Sequence, residues 1–379
     1  MAETNRIYFK NLDVVRFVAA ISVVFAHGFD AWKDYFVRFR YNVEDLNAFF
    51  GPKFEYFDRF FNNLGIGVEI FFFISGFLIT YILLVEKEKH GKISFWKFFV
   101  RRSLRIWPLY FLLVALGPFI TSWMKYGDPD YWSLTFFYAN FEVIHSMQWQ
   151  FPFAHYWSIA LEEQYYLVWP PIMALVKRVR LPYIMIALIA VSIASRIYFY
   201  YESDKQYLNL YLNTLCRMDT LLIGGLIAFT YFKKPFQFAL PVGLSSALLL
   251  GLLASFAVID YNDWSNLWLV IFKKYLYLAA FGAIILDYLF NPKYGKSNRL
   301  KRPFLYLGKI SYGIYMFHNI MVIIVIKEIL LNNNLYSPIV FALVYIGAVI
   351  LISIISFEFY EKWFLRLKER FAVVQTRKF

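Results

Sequence analysis

Ten long apolar runs, separated by short charged segments, organise the chain. They cover roughly residues 11–29, 62–85, 104–124, 156–176, 182–201, 209–232, 238–258, 268–290, 305–330 and 337–360. About 20 mostly apolar residues suffice for a helix to cross the hydrocarbon core of a bilayer. Each run therefore predicts a spanning helix. Together they predict an all-α fold, a polytopic transmembrane helix bundle of about ten spans. The stretch 131–144 (YWSLTFFYANFEVI) is too short to span and is predicted to be interfacial or re-entrant.

Charge sets the orientation. Lysine and arginine favour the cytoplasmic side of a membrane. With the N-terminus inside, the inner segments 1–10, 86–103, 177–181, 233–236, 291–303 and 361–379 hold 24 of them. The outer segments 30–61, 125–155, 202–208, 259–266 and 331–336 hold seven. Both termini are thus expected in the cytoplasm. Lys273 and Lys274 fit this scheme least well, because they fall inside the eighth span. They must snorkel, line a cavity, or mark a later helix start.

Composition agrees. The chain of 379 residues is 60% hydrophobic and 22% aromatic, above the roughly half-apolar share of soluble domains. A net charge of +13 would suggest nucleic acid for a soluble protein, but here the charges lie where membrane topology needs them. The abundant Trp and Tyr suit belts facing membrane lipids. The single cysteine, Cys216, allows no intrachain disulfide and no cysteine metal cluster. The N-terminus carries no cleavable signal pattern, so the first helix is read as retained. No repeat or linker divides the chain. It is read as one membrane domain, 1–379, with a basic amphipathic tail from about 361.

The candidate chemistry lies in polar residues at membrane depth, which usually face a bundle interior or a wet cavity. In LDVVRFVAAISVVFAHGFD, Arg16 and His27 are eleven residues apart. That is close to three helical turns, so they share a face about 16 Å apart along the axis. Asp13 shares that face. His27 is either a hydrogen-bonded packing residue or a proton shuttle. Glu69 enters the second span from outside at a depth similar to His27. It could orient the imidazole, or pair with Arg196 or Arg217. Gly65, Gly67 and Gly76 suit close helix approach. Ser75 is a possible nucleophile, with interhelical hydrogen bonding the simpler reading.

Arg101, Arg102 and Arg105 gather at a helix start on the inner side. They serve either positive-inside topology or a phosphate site, since helix N-termini and arginines both attract phosphate. Pro108 follows inside the same helix and is expected to kink it. Glu162 and Glu163 are adjacent and point to different faces, so at least one faces the interior. Arg217 and Asp219 are two apart, roughly 200° around a helix, and need partners elsewhere. His318 lies well inside the ninth span, with Tyr312 and Tyr315 nearby. There is no GxxxxGK[ST] loop and no convincing zinc spacing, so neither a nucleotide-driven pump nor a metal site is indicated.

Six blocks in order, LDVVRFVAAISVVFAHG, GVEIFFFISGFLIT, RRSLRIWPLY, HYWSIALEEQYYLVWP, RMDTLLIGG and LGKISYGIYMFH, resemble the acyltransferase-3 family of integral membrane acyltransferases. That family includes bacterial O-antigen acetylases. The resemblance implies transfer of an acyl group, usually acetyl, from cytoplasmic acyl-coenzyme A to a carbohydrate hydroxyl, in the bacterial inner membrane. The sequence leaves the acceptor open among a lipopolysaccharide O-antigen unit, capsule or exopolysaccharide, peptidoglycan and a lipid-linked sugar. By the same resemblance Arg16 and His27 match the first-helix pair, Arg102 and Arg105 the inner donor-binding motif, and Glu162 or Glu163 the glutamate of the WSLxxEEQ-like block. Glu69 stands where the family often has Asp, and WSIALEEQ replaces the commoner WSLSVEEQ. The expected division of labour makes His27 the general base, oriented by Glu69 or Glu162. Arg16 polarises the thioester or anchors the donor. Arg101, Arg102 and Arg105 hold the coenzyme A phosphates. Asp13, Ser75, Glu163, Arg217, Asp219 and His318 are expected to line the substrate cavity. The competing class is a multi-pass transporter or flippase, whose marks would be helices broken in mid-membrane and inverted repeats. The sequence displays neither.

Overall fold

The computed structural model describes residues 7, 9, 11–39, 51–125, 127–259, 266–295, 299–331 and 337–374. The expected outer loops 259–266 and 331–336, most of segment 1–10 and the end of the basic tail lie largely outside them. Among the described residues every regular element is helical. In chain order these are α1 (Leu12–Phe39), α2 (Phe54–Asn63), α3 (Gly67–His90), α4 (Phe95–Met124), α5 (Tyr131–Thr135), α6 (Ala139–Ser146), α7 (Tyr156–Leu175) and α8 (Leu181–Glu202). There follow α9 (Gln206–Leu212), α10 (Thr214–Lys233), α11 (Val242–Val258), α12 (Lys274–Phe290), α13 (Lys301–Lys309), α14 (Ser311–Ile324), α15 (Pro338–Ser356) and α16 (Lys362–Glu369).

Each expected span coincides with a helix. Seven segments are long and apolar enough to cross a membrane by length and composition, and eight if the bent pair α13–α14 counts as one span. The other two expected spans are α7, which carries Glu162 and Glu163, and the shorter α11. The stretch 131–144 forms two short helices, α5 and most of α6. Asp130 caps α5 by accepting from the backbone N–H groups of Trp132 and Ser133. Helix α4 runs on through Pro108 and Pro118.

Two departures from the expected pattern matter. The ninth span is broken: α13 and α14 meet at 69°. Gly308, just before the break, explains the register, because a Cβ there would lie 1.9 Å from the Asp13 carbonyl oxygen of α1. The backbones touch, and only glycine fits. The eighth span begins with a π-helical turn over Leu269–Lys273. Such turns insert one residue into a helix and re-aim the side chains around it. Here Lys273 and Lys274 end up buried rather than snorkelling.

By contacts the chain forms two compact units. The first comprises 1–9, 71–236 and 356–379. In it α8 packs along α10, α16 packs on α4, and α6 packs on α7. Lys87 donates to the carbonyls of Met173, Ala174 and Val176 at 2.8, 3.1 and 2.9 Å. It thereby serves carbonyls that the end of α7 leaves without helical partners. Helices α3 and α10 cross with backbones in contact at Gly76, where a Cβ would lie 1.8 Å from the Leu221 carbonyl oxygen. The second unit comprises 10–70 and 237–355. In it α1 packs against α13 and α14, and α2 packs on α11. Asn63 ties the last two together through the carbonyls of Phe256 (2.7 Å) and Ile259 (2.6 Å).

Of the three glycines expected at close approaches, Gly67 and Gly76 serve one and Gly65 does not, since a Cβ at Gly65 meets nothing within 4 Å. Overpacking a tight contact costs about 1–3 kcal/mol or more. Gly76→Ala should therefore lower the melting temperature in detergent clearly, while Gly65→Ala leaves it nearly unchanged. Equal melting of the two variants would refute the backbone contact at Gly76.

Candidate active site

The second unit holds one constellation. Helix α1 carries Asp13, Arg16 and His27, placed as the spacing predicted. Asp13 is fully buried in the first turn, where the helix dipole favours a carboxylate. Arg16 donates to it at 3.2 Å. His27 is half-buried. Its Nδ1 lies 2.8 Å from Nε2 of His318 on α14. His318 is completely buried, and its Nδ1 lies 2.5 Å from the Tyr315 carbonyl oxygen. The two rings are nearly parallel, 14° apart, with centroids 5.0 Å apart. That separation is close to the N···N distance plus two ring radii. The rings therefore meet edge to edge along the hydrogen bond rather than face to face.

The expected orienting carboxylate is thus replaced by a second imidazole. Glu69 instead forms an ion pair with Lys274, at 3.5 Å, both buried.

The first unit holds the other constellation, centred on Glu162 of α7. Its carboxylate accepts from Ser75 Oγ at 2.8 Å and from the Tyr166 hydroxyl at 2.6 Å. Arg102 of α4 lies 3.5 Å away, with its guanidinium 3.9 Å over the Tyr166 ring and a hydrogen bond to the Tyr166 hydroxyl. Ser75 thereby forms an interhelical hydrogen bond between α3 and α7. Glu163 points elsewhere and accepts from Trp107 Nε1 at 3.1 Å.

The three arginines have separate surroundings. Arg101 is spent on the buried Glu86 at 3.0 Å, and on the Phe371 carbonyl at 3.4 Å. Glu86 also accepts from the Ser94 N–H at 2.7 Å, which pins the start of α4 to α3. Arg102 keeps a buried Nε without a hydrogen-bond partner, a donor available to an anion. Arg105 lies within electrostatic reach of Glu361.

Two further cavity candidates lie on α10. Asp219 pairs with Arg196 at 2.6 Å, and Arg196 also donates to the Cys216 carbonyl at 2.9 Å, all buried. The guanidinium of Arg217 lies 5.2 Å from the Tyr211 ring centroid and 5.6 Å from that of Trp157.

Sequence reasoning missed Tyr166 and Glu86, and singled out Lys274 without giving it a partner. Tyr166 follows Glu162 by four residues on one helix, a spacing that puts both on one face. Lys274 announced itself as a lysine inside a span. Glu86 left no local sign.

Residues 9–358 match the family described as "Acyltransferase domain", the acyltransferase-3 family. The chain belongs to this family. It is also similar to the peptidoglycan O-acetyltransferase OatA of Listeria monocytogenes, 26% identical over 325 residues, covering 78% of this chain and 50% of that protein. It is 27% identical to the O-acetyltransferase OatA of Staphylococcus aureus over 292 residues, covering 69% of this chain and 46% of that protein. The chain spans about half the length of the curated relatives it matches. No solved structure matches it. The matched region of this acyltransferase-family chain contains both constellations.

The Arg196–Asp219 pair yields a test. Breaking a buried ion pair from one side costs about 3–5 kcal/mol, while an apolar replacement of both partners is near neutral. Asp219→Leu and Arg196→Met should each lower the melting temperature strongly, and the double variant should recover most of the loss. A single variant that melts normally but loses activity would return Asp219 to the substrate site.

Proposed function

We propose that this membrane protein is an O-acetyltransferase that moves an acetyl group from acetyl-coenzyme A to a hydroxyl of a cell-envelope carbohydrate in a bacterial inner membrane. The observation that carries the reading is His27. It is a half-buried imidazole on a spanning helix, with one ring nitrogen engaged by His318 and Nε2 left for a proton. Family membership and the O-acetyltransferase names of the two bacterial relatives support it.

Acetyl-coenzyme A supplies the thioester. In the proposed mechanism His27 Nε2 takes the proton of the acceptor hydroxyl. The hydroxyl oxygen forms the new C–O bond, the C–S bond breaks, and the departing sulfur recovers the proton from His27. General-base action of this kind typically contributes about 10²–10⁴-fold. Arg16, balanced by Asp13, presents a fixed positive charge for an anionic group of the donor, about 16 Å along the helix from His27. Arg102 and Arg105 are the proposed phosphate ligands, because Arg102 retains an unused buried donor. Arg101 is proposed as a structural tie, because Glu86 and the Phe371 carbonyl already occupy it.

The transporter alternative gains one feature, the broken span at α13–α14. A break whose register follows from the Gly308 contact has a packing cause, so the acyltransferase reading stands first.

Donor binding tests this assignment. Purified protein in detergent should bind acetyl-coenzyme A by calorimetry. A lost charged hydrogen bond costs about 1.5–3 kcal/mol, so Arg102→Ala and Arg105→Ala should each weaken binding about tenfold or more. A folded wild-type protein with no affinity for the donor would overturn the reading.

A further inference from the structure

We infer that His318 is a positioning residue that holds His27 in the one neutral tautomer able to act as a base. The inference deepens the proposed function and rests on that reading for its catalytic consequence alone.

A neutral imidazole has one donor nitrogen and one acceptor nitrogen, and the hydrogen bond at one decides the other. His318 Nδ1 faces the Tyr315 carbonyl oxygen, which only accepts, at 2.5 Å. His318 Nδ1 must therefore carry its proton. Its Nε2 is then a bare acceptor, and that atom is the one 2.8 Å from His27 Nδ1. His27 Nδ1 must donate, so His27 Nε2 is unprotonated. A backbone carbonyl thus fixes one ring, and that ring fixes the next. The near-coplanar, edge-to-edge approach of the rings aligns the N–H with the acceptor lone pair.

The same geometry serves the charged state. When His27 Nε2 accepts a proton, Nδ1–H faces a lone pair rather than a second proton. His318 can then share the charge through its own Nε2. An Asp in this place would stay negative and would add a buried charge to a deep apolar site. A histidine performs the orienting role while neutral at rest, which suits a fully buried position.

The test uses the full chain, purified in detergent, with ¹⁵N-labelled histidine. The chain has five histidines, and a His27→Gln spectrum identifies the His27 signals by difference. In the wild type, His27 should show a protonated Nδ1 and a bare Nε2. His318→Asn keeps a donor toward the Tyr315 carbonyl but removes the acceptor for His27. It should convert His27 to the opposite tautomer or to a mixture, and lower kcat for acetyl transfer at least tenfold with donor KM within about twofold. His318→Gln restores an acceptor oxygen near the lost Nε2, and should recover the tautomer and part of the rate.

A wild-type His27 protonated at Nε2 overturns the inference. So does an Asn variant with unchanged tautomer and rate. If His318→Asn fails to fold, the wild-type tautomer and the Gln variant decide. If the wild type transfers no acetyl group to any acceptor, the acyltransferase reading falls, while the tautomer signals still judge the His27–His318 relation.

Discussion

A charge inside hydrocarbon has to be matched where it stands, because no water is there to solvate it. That constraint shapes both units. Lys274 sits inside a span opposite Glu69, and Arg196 sits opposite Asp219. Arg101 faces Glu86, and Arg16 faces Asp13. The first three pairings join different helices that must lie together for the charges to meet, so these polar groups act as registration marks on an apolar bundle, while Arg16–Asp13 closes within α1. They add little net stability over an apolar pair but penalise wrong neighbours.

Against that background, two groups stand out. His27 meets a second imidazole rather than a carboxylate. Arg102 shares its carboxylate with a serine and a tyrosine and retains a buried donor. Glycine contacts do the remaining work of placement. The Gly308–Asp13 backbone contact docks α13 on the first turn of α1. Beyond the break, α14 carries His318 to His27.

The spans were legible because apolarity is a local property of twenty residues. Partners were less legible because they depend on which helices adjoin. His27 and His318 are 291 residues apart, and both were singled out, but nothing local joined them. The ion pair of Glu69 with Lys274 was not anticipated, since Lys274 follows a π-helical turn that an apolar run does not reveal. The Glu162–Tyr166 pair was readable from its spacing and was passed over. The break at α13–α14 carries no proline at the bend, only the glycine two residues before Ile310. The docking of α16, at the start of the basic tail, on α4 appears only when the helix is placed.

The most direct measurement is single-turnover acetyl transfer by His27→Gln, at saturating donor, beside the wild type. Gln keeps the size and polarity of the side chain but cannot take a proton. The account predicts unchanged acetyl-coenzyme A affinity and melting temperature, with transfer slowed by about 10²-fold or more. A folded His27→Gln protein that transfers acetyl groups at the wild-type rate would contradict the assignment of His27 as the base.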